Sequence, residues 1–175
     1  TDLIPDNASA PGTLQYIERR AFTDASGRLS LEVQPSPVDH PYEVYISRGP
    51  EYELERISNV VVHANDIISI TASLERVVDT TGYIAGDFHL HTIGSIDSSA
   101  TYATQVAGLA VEGIEYVAST DHNFIADLYP TIVDAGLTNF INSMVGLEMT
   151  TLEGGHFNGY PMTYQPQEVL HGSFQ

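Results

Sequence analysis

The sequence contains no cysteine, no tryptophan and no lysine, and none of its six arginines lies beyond Arg76. Without cysteine the chain can form neither disulfides nor zinc–thiolate sites, so any metal site must be built from His, Asp and Glu. No apolar run approaches the roughly 20 residues of a membrane-spanning helix. The sequence is rich in aspartate and glutamate, and the positions of these acidic residues are informative.

The formal net charge is −17, and Val77 to Gln175 hold eleven carboxylates with no Lys or Arg. This distribution argues against a nucleic-acid partner, because binding to phosphates needs clustered cations. It also argues against an anionic membrane surface. Two explanations of the charge stay open: solubility, as in a salty habitat, and neutralisation of some carboxylates by bound cations.

Residues 1–80 read as short strands separated by turns and prolines. Three stretches carry the pattern: "GRLSLEV" (27–33), "YEVYIS" (42–47) and "NVVVHANDIISITASL" (59–74). Strands of this length and spacing predict a small antiparallel β-sandwich-like domain with a structural or substrate-covering role. His40 and His63 fall in it, and we interpret both as surface histidines.

Residues 81–175 alternate between strand and helix patterns. "YIAGDFHL", "IEYVAST", "FINSMVGLEMT" and "GGHFNGYPM" are the predicted strands. One helix is predicted in "SSATYATQVAGLAVEG", with an N-cap at Ser98 or Ser99 and an end at Gly113. A second is predicted in "ADLYPTIVDAGL", with Pro130 in its first turn. This alternation predicts a parallel α/β domain, in which chemistry gathers at the carboxyl ends of the strands.

The polar residues of this second half fall at those strand ends. His89 and His91 are two positions apart on a strand, so their side chains point to one side with Cα atoms roughly 6.5–7 Å apart. Two imidazoles at that spacing can converge on one cation. Further candidates follow: His122 beside Asp121 and Glu148 at later strand ends, and His156 in a glycine-rich turn.

The motifs "DFHLHT…S.D", "TDHN" and "GLE…GH" resemble the polymerase and histidinol phosphatase (PHP) domain. "SRGPEYE" (47–53) and "GHFNGYP" (155–161) narrow the resemblance to the CehA/McbA-like branch of metallohydrolases, over about residues 40–165. The resemblance implies a distorted (β/α)7 barrel that holds two or three divalent ions. It implies that His89, His91 and Glu148 bind a first ion, that Glu148 and His156 bind a second, and that Asp97 and His122 bind a third. Asp121 and Asp87 would lie behind the ligands, with Asp121 orienting its neighbour.

The chain departs from the family pattern in its later ligands. The later histidine and the Asp-x-His of the family are not found, and His171 lies at the wrong distance, so we interpret it as an ordinary terminal residue. The expectation is therefore an α/β fold with residues 81–175 forming the N-terminal part of a truncated PHP-type barrel. Such a fragment would bind metal weakly and could be inactive unless further sequence or a second chain completes the site.

The predicted function is a metal-dependent hydrolase of ester bonds, first a phosphoesterase, acting on a small-molecule substrate. Carbamate or aryl-ester hydrolysis is the alternative, because a phosphomonoester would meet no Lys or Arg in the α/β half unless Arg48 or absent sequence supplied one. An amidohydrolase with a carboxylated lysine is excluded by the lack of lysine, and a non-catalytic metal-binding fragment stays open. Zinc, manganese and iron all suit these ligands. The missing initiator Met and the branch resemblance favour an extracytoplasmic location.

Overall fold

A computed structural model describes residues 2–5 and 14–173 of the chain. Its elements, in chain order, are β1 (Asp2–Pro5), β2 (Leu14–Ile17), β3 (Tyr42–Ile46), β4 (Glu55–Val60), β5 (Gly86–Leu90), α1 (Tyr102–Val111), β6 (Tyr116–Ser119), α2 (Tyr129–Asp134), β7 (Asn142–Met144), β8 (Leu147–Thr151), β9 (Gly155–Gly159) and a 3₁₀ turn (Val169–Gly172). The chain divides into two compact units. The first unit comprises Thr1–Ile46 and Glu55–Ala72, and the second comprises Ser47–Leu54 and Ser73–Gln175. The predicted domain boundary lies at residue 80.

The first unit contains two separate antiparallel strand pairs, β1–β2 and β3–β4. The prediction of a β-sandwich-like domain is wrong for its described residues. Leu29 and Leu31, in the stretch 27–33 that was predicted as a strand, lie outside any strand and are 46% and 43% exposed. A sandwich needs two sheets that cover each other's apolar faces, and every buried apolar residue among those described belongs to the second unit.

The second unit is built on a parallel sheet of three strands in the order β5–β6–β7. The predicted helix between the first two strands is confirmed, although its N-cap is Thr101 rather than Ser98 or Ser99. The Thr101 hydroxyl accepts a hydrogen bond from the N–H of Thr104 at 3.2 Å. Gly113 ends the helix as expected, with a φ of +79° that glycine adopts without strain.

The second helix, α2, is also confirmed, and Pro130 lies in its first turn. Both helices pack on the sheet. The core comprises Leu90, Val106, Ala110, Val117, Leu128, Ile132 and Ile141, with Tyr102, Leu109, Ile114 and Leu137 partly buried around it. This core fixes the ends of β5 and β6, where the polar motifs follow.

The prediction of a (β/α)7-type barrel is wrong. After β7 the described residues up to 173 form no further unit of α-helix and parallel strand; instead β8 and β9 pair antiparallel as a hairpin, with a short turn at 152–154. A barrel closes only when every strand has two neighbours, whereas β5 and β7 are the outer strands of an open three-stranded sheet. The described residues contain two α-helices and four small sheets.

Residues 47–54 belong to the second unit and lie against the end of α1. A Cβ at Gly49 would come within 2.0 Å of the Glu112 carbonyl oxygen, so the backbones approach closely there. The Arg48 guanidinium lies 5.0 Å from the centroid of the Tyr52 ring and 5.3 Å from that of Phe140. Arg76 pairs with Glu51 at 2.5 Å.

Neither helix in the described part of the chain is long and apolar enough to cross a membrane.

Candidate metal centre

The six predicted ligands lie together in the second unit. They come from three segments that follow or form strands: residues 89–97 at the end of β5, residues 121–122 after β6, and the β8–β9 hairpin. Their side-chain nitrogen and oxygen atoms form three overlapping groups, which are His89–His91–Glu148, His91–Asp97–His122 and His122–Glu148–His156. Within each group the ligand atoms lie no more than 4.8 Å apart.

The first segment places His89, His91 and Asp97 side by side. His89 is on β5 and His91 just beyond it, and their Nε2 atoms are 3.2 Å apart. The Nδ1 of His91 is 3.0 Å from Asp97 Oδ1. The Ser95 hydroxyl donates to the same carboxylate at 2.7 Å and, with the His91 ring, lowers the pKa of Asp97 to about 2. Asp97 is therefore an anion at neutral pH.

The second segment is anchored by a buried carboxylate. Asp121 is fully buried and accepts hydrogen bonds from the Thr92 backbone N–H and from the Thr92 hydroxyl, the latter at 2.5 Å. Burial raises the pKa of Asp121, and the two hydrogen bonds from Thr92 oppose this increase. These two hydrogen bonds join the loop after His91 to the segment that carries His122.

Main-chain pairing brings the third segment to the second. The N–H of Glu148 donates to the Asp121 carbonyl at 3.1 Å, and the N–H of Asn123 donates to the Glu148 carbonyl at 2.9 Å. In the β8–β9 register Thr150 lies opposite His156. Directly opposed residues share a face of the sheet, as do residues two apart on one strand. Glu148, Thr150 and His156 therefore project from one face of the hairpin.

Glu148 is the centre of the cluster. Its side chain is only 3% exposed, and its two oxygens contact the ring nitrogens of four histidines. Oε2 is 2.7 Å from His91 Nε2, 3.2 Å from His122 Nδ1 and 3.3 Å from His89 Nε2. Oε1 is 2.8 Å from His156 Nδ1. Burial alone would raise the pKa of Glu148, but hydrogen bonding to His89 and the charges of the surrounding rings lower it overall.

The donor atoms of the cluster fit a metal ion. A neutral imidazole carries one N–H, so it can donate to one acceptor only. Both nitrogens of His91 nevertheless face carboxylates, and both nitrogens of His122 do so as well. A bound cation would accept the lone pairs that these ring nitrogens and carboxylate oxygens direct towards one another. Two ligand atoms about 2.1 Å from a tetrahedral ion lie about 3.4 Å apart, close to the 2.7–3.3 Å measured around Glu148 Oε2.

The remaining predicted residues lie as follows. Asp87 accepts a hydrogen bond from the backbone N–H of His89 at 3.0 Å, and the Asp121 carboxylate receives its hydrogen bonds from Thr92. His40 and His63 belong to the first unit. His171 is packed between the rings of Phe124 and Tyr164, with Nδ1 3.0 Å from the Ile125 carbonyl oxygen.

Three polar residues at the site were not predicted from the sequence. The Thr150 hydroxyl is 2.5 Å from His122 Nδ1, Ser95 holds Asp97, and Gln105 donates to the His91 carbonyl at 2.5 Å. Thr150 could have been found, because it follows Glu148 by two residues on a predicted strand. Gln105 gave no such signal, since its contact depends on how α1 packs.

Comparison with models of protein families, with curated proteins and with solved structures finds no match to this chain.

Proposed function

We propose that this chain binds divalent metal ions through the six-residue cluster and uses them to hydrolyse ester bonds, with phosphoesters as the first substrate class. The observation that carries the proposal is Glu148, an almost buried carboxylate that contacts four imidazoles. Side chains brought together in this way are costly to bury without a cation. The resemblance of the same residues to the PHP motifs supports the choice of hydrolysis.

Each residue of the cluster has a role in the proposed site. Glu148 and the four histidines would hold ions, and the ionised Asp97 would bind a cation beside His122. His89 and His156 are about half exposed, at 57% and 52%, so a substrate can reach them from solvent. A bound divalent ion would supply hydroxide at neutral pH and would stabilise charge that develops on the substrate oxygen.

Carbamate or aryl-ester hydrolysis is the second candidate, and the positions of the arginines favour it. The second unit holds two arginines, Arg48 and Arg76. Arg48 packs between two aromatic rings and Arg76 pairs with Glu51, in a pocket next to Gly113, Glu115 and Asn139. These last three residues lie before the start of β6 and β7. The residues of the cluster lie beyond the ends of β5 and β6, at the other edge of the sheet. A carbonyl ester needs less positive charge at the site than a phosphomonoester does.

Metal binding is tested by metal analysis of the whole chain. Protein purified without chelator and dialysed against zinc or manganese is measured by mass spectrometry, for wild type, Glu148→Ala, His91→Ala and the control His63→Ala. Glu148→Ala should lose most of the metal because Glu148 belongs to two of the three groups. His63→Ala should keep it. Equal metal content in all four folded proteins would overturn the proposal.

Hydrolysis is tested separately with the metal-loaded chain. The substrates are an aryl phosphomonoester, an aryl phosphodiester, an aryl acetate and an aryl carbamate. We expect turnover that EDTA abolishes, that manganese or zinc restores and that Glu148→Ala lacks. Metal binding without metal-dependent turnover of any ester class would show a non-catalytic metal-binding protein instead.

A further inference from the structure

The return segment, residues 162–173, packs on the residues that follow His122. Both backbone groups of Ile125 pair with its last turn. The Ile125 N–H donates to the Leu170 carbonyl at 3.3 Å, and the Ile125 carbonyl accepts from Nδ1 of His171 at 3.0 Å. A carbonyl oxygen can only accept, so Nδ1 of His171 is the donor of this bond. Since Ile125 is 1% exposed, the bond lies at the edge of the buried interior.

The ring of His171 lies between two aromatic rings of the second unit. Its centroid is 4.7 Å from that of Phe124 and 4.9 Å from that of Tyr164. Leu170 and His171 both have positive φ values, +50° and +58°, which residues with a Cβ adopt infrequently. Such a backbone persists where the surrounding contacts fix it. The ring contacts and the bond to Ile125 are the contacts that fix this turn.

Phe124 connects His171 with the loop that carries Asp97. A Cβ added at Gly94 would collide with the Phe124 ring, so the ring lies directly against the backbone of this loop. The next residue, Ser95, donates its hydroxyl hydrogen to Asp97 at 2.7 Å and accepts from the His122 backbone N–H at 3.2 Å. The Phe124 ring therefore contacts the loop one residue before the hydroxyl that joins two candidate ligands.

We propose that His171 is a positioning residue for the group His91–Asp97–His122. It fixes the ring of Phe124, and this ring fixes the loop 92–97 that presents Asp97. The side chain of His171 contacts Phe124, Ile125 and Tyr164, none of which is a candidate ligand, so it acts through them. The inference rests on the proposed metal site, because the purpose of the positioning is to hold an ion.

The first measurement is zinc affinity of the whole chain, by competition with a chromophoric chelator. Loss of a residue that supports the ligands typically weakens metal binding by about 10-fold to 100-fold. Because His171 acts through Phe124, we expect about 10-fold for His171→Ala. His171→Asn keeps an amide donor and tolerates the positive φ, so it should bind zinc more tightly than His171→Ala. Equal affinity in wild type and His171→Ala would overturn the inference.

A control of matched kind separates positioning from general stability. Ile132 is a fully buried core residue on α2, and Ile132→Val is expected to lower the free energy of unfolding without touching the loop. Urea denaturation measures this loss for each variant. We expect Ile132→Val to bind zinc as wild type does. A weakening equal to that of His171→Ala would show that stability alone sets the affinity, and would overturn the inference.

A double-mutant cycle tests the route through Phe124. Phe124→Leu removes the ring and keeps an apolar side chain. If His171 acts through this ring, the double variant should bind zinc no more weakly than the weaker of the two single variants. Losses that add would show independent effects and would overturn the route.

A measurement on the metal-free chain keeps the two proposals separate. The N–H groups of Gly94 and Ser95 both donate to Thr92, and their hydrogen exchange reports local opening of the loop. We expect faster exchange in His171→Ala than in Ile132→Val, with His171→Asn as the second variant if His171→Ala does not fold. Equal exchange would overturn the inference. If no protein in the series binds zinc, the proposed function fails, while the exchange rates still decide whether His171 fixes the loop.

Discussion

At the scale of single residues, the site is a set of acids and imidazoles that fix one another. Glu148 contacts the rings of four histidines, and Asp97 contacts two of these rings. The Ser95 hydroxyl contacts Asp97, and the Thr150 hydroxyl contacts His122. Isolated burial of a carboxylate is unfavourable, but hydrogen-bond donors and cations reverse that cost. Hydrogen bonding to His89 and the charges of the surrounding rings lower the pKa of Glu148, although its burial acts in the opposite direction. The anionic form of the carboxylate is the form that a metal ligand needs.

A residue-scale prediction concerns Thr92, which is fully buried and donates two hydrogen bonds to Asp121. Thr92→Val removes the hydroxyl donor while keeping the shape of the side chain. Hydrogen bonds to charged groups contribute about 1.5–3 kcal/mol, so we expect the free energy of unfolding to fall by about that amount. Urea denaturation of the metal-free chain measures it, with exposed Thr163→Val as control. Equal stability of the two variants would contradict the role given to Thr92.

At the scale of elements, local signals predicted the two helices of the second unit and the parallel strands that they join. The helix pattern around Val106 and Ala110, the stop at Gly113 and the position of Pro130 all follow from backbone preferences over a few residues. Local signals did not predict how the elements combine. The alternation of Leu29 and Leu31 indicates a strand but cannot supply the second sheet that would cover it. Likewise, a helix–strand rhythm cannot say that β8 and β9 turn back on each other as a hairpin.

The candidate site follows the same division. His89 and His91 were found because a two-residue spacing at the end of a strand is a local feature. Glu148 was also predicted at a strand end, but it lies at the second position of β8. Thr150 and Gln105 were missed because their contacts depend on the pairing of Asn123 with Thr150 and on the packing of α1. Such contacts join parts of the chain that the sequence does not place side by side.

An element-scale prediction concerns the segment 47–54 and α1. Gly49 and Gly82 both have positive φ values, +65° and +85°, but only Gly49 would bring a new Cβ against backbone; Gly82 has open space. Gly49→Ala should therefore lower the free energy of unfolding by about 1–3 kcal/mol more than Gly82→Ala, the cost typical of overpacking. Urea denaturation followed by circular dichroism compares the two. Equal losses would show that segment 47–54 does not press on α1 as described.

At the scale of the whole molecule, charge is the dominant feature. A net charge of −17 on 175 residues gives substantial self-repulsion, and the second half of the chain has no Lys or Arg to relieve it. Positive charge must reach that half from histidines, from ions in solution or from ions bound at the site. The stability of the chain should therefore depend on its ionic surroundings.

A whole-molecule prediction follows for salt. Raising sodium chloride shortens the Debye length from about 30 Å at 0.01 M to about 10 Å at 0.1 M and weakens repulsion between exposed carboxylates. The thermal unfolding midpoint of the metal-free chain should rise over this range, as measured by circular dichroism. A midpoint that stays constant or falls would show that self-repulsion does not limit stability.

The three segments that supply the metal centre also have a mechanical consequence. Because the candidate ligands run from residue 89 to residue 156, one ion would cross-link stretches of chain that are far apart in sequence. A cross-link that closes a long loop lowers the conformational entropy of the unfolded chain. Because the site exists only in the folded chain, the free energy of metal binding adds to the free energy of folding. The backbone of Glu148 in the β8–β9 hairpin pairs with Asp121 and Asn123 after β6, and such a cross-link would hold this pairing in place.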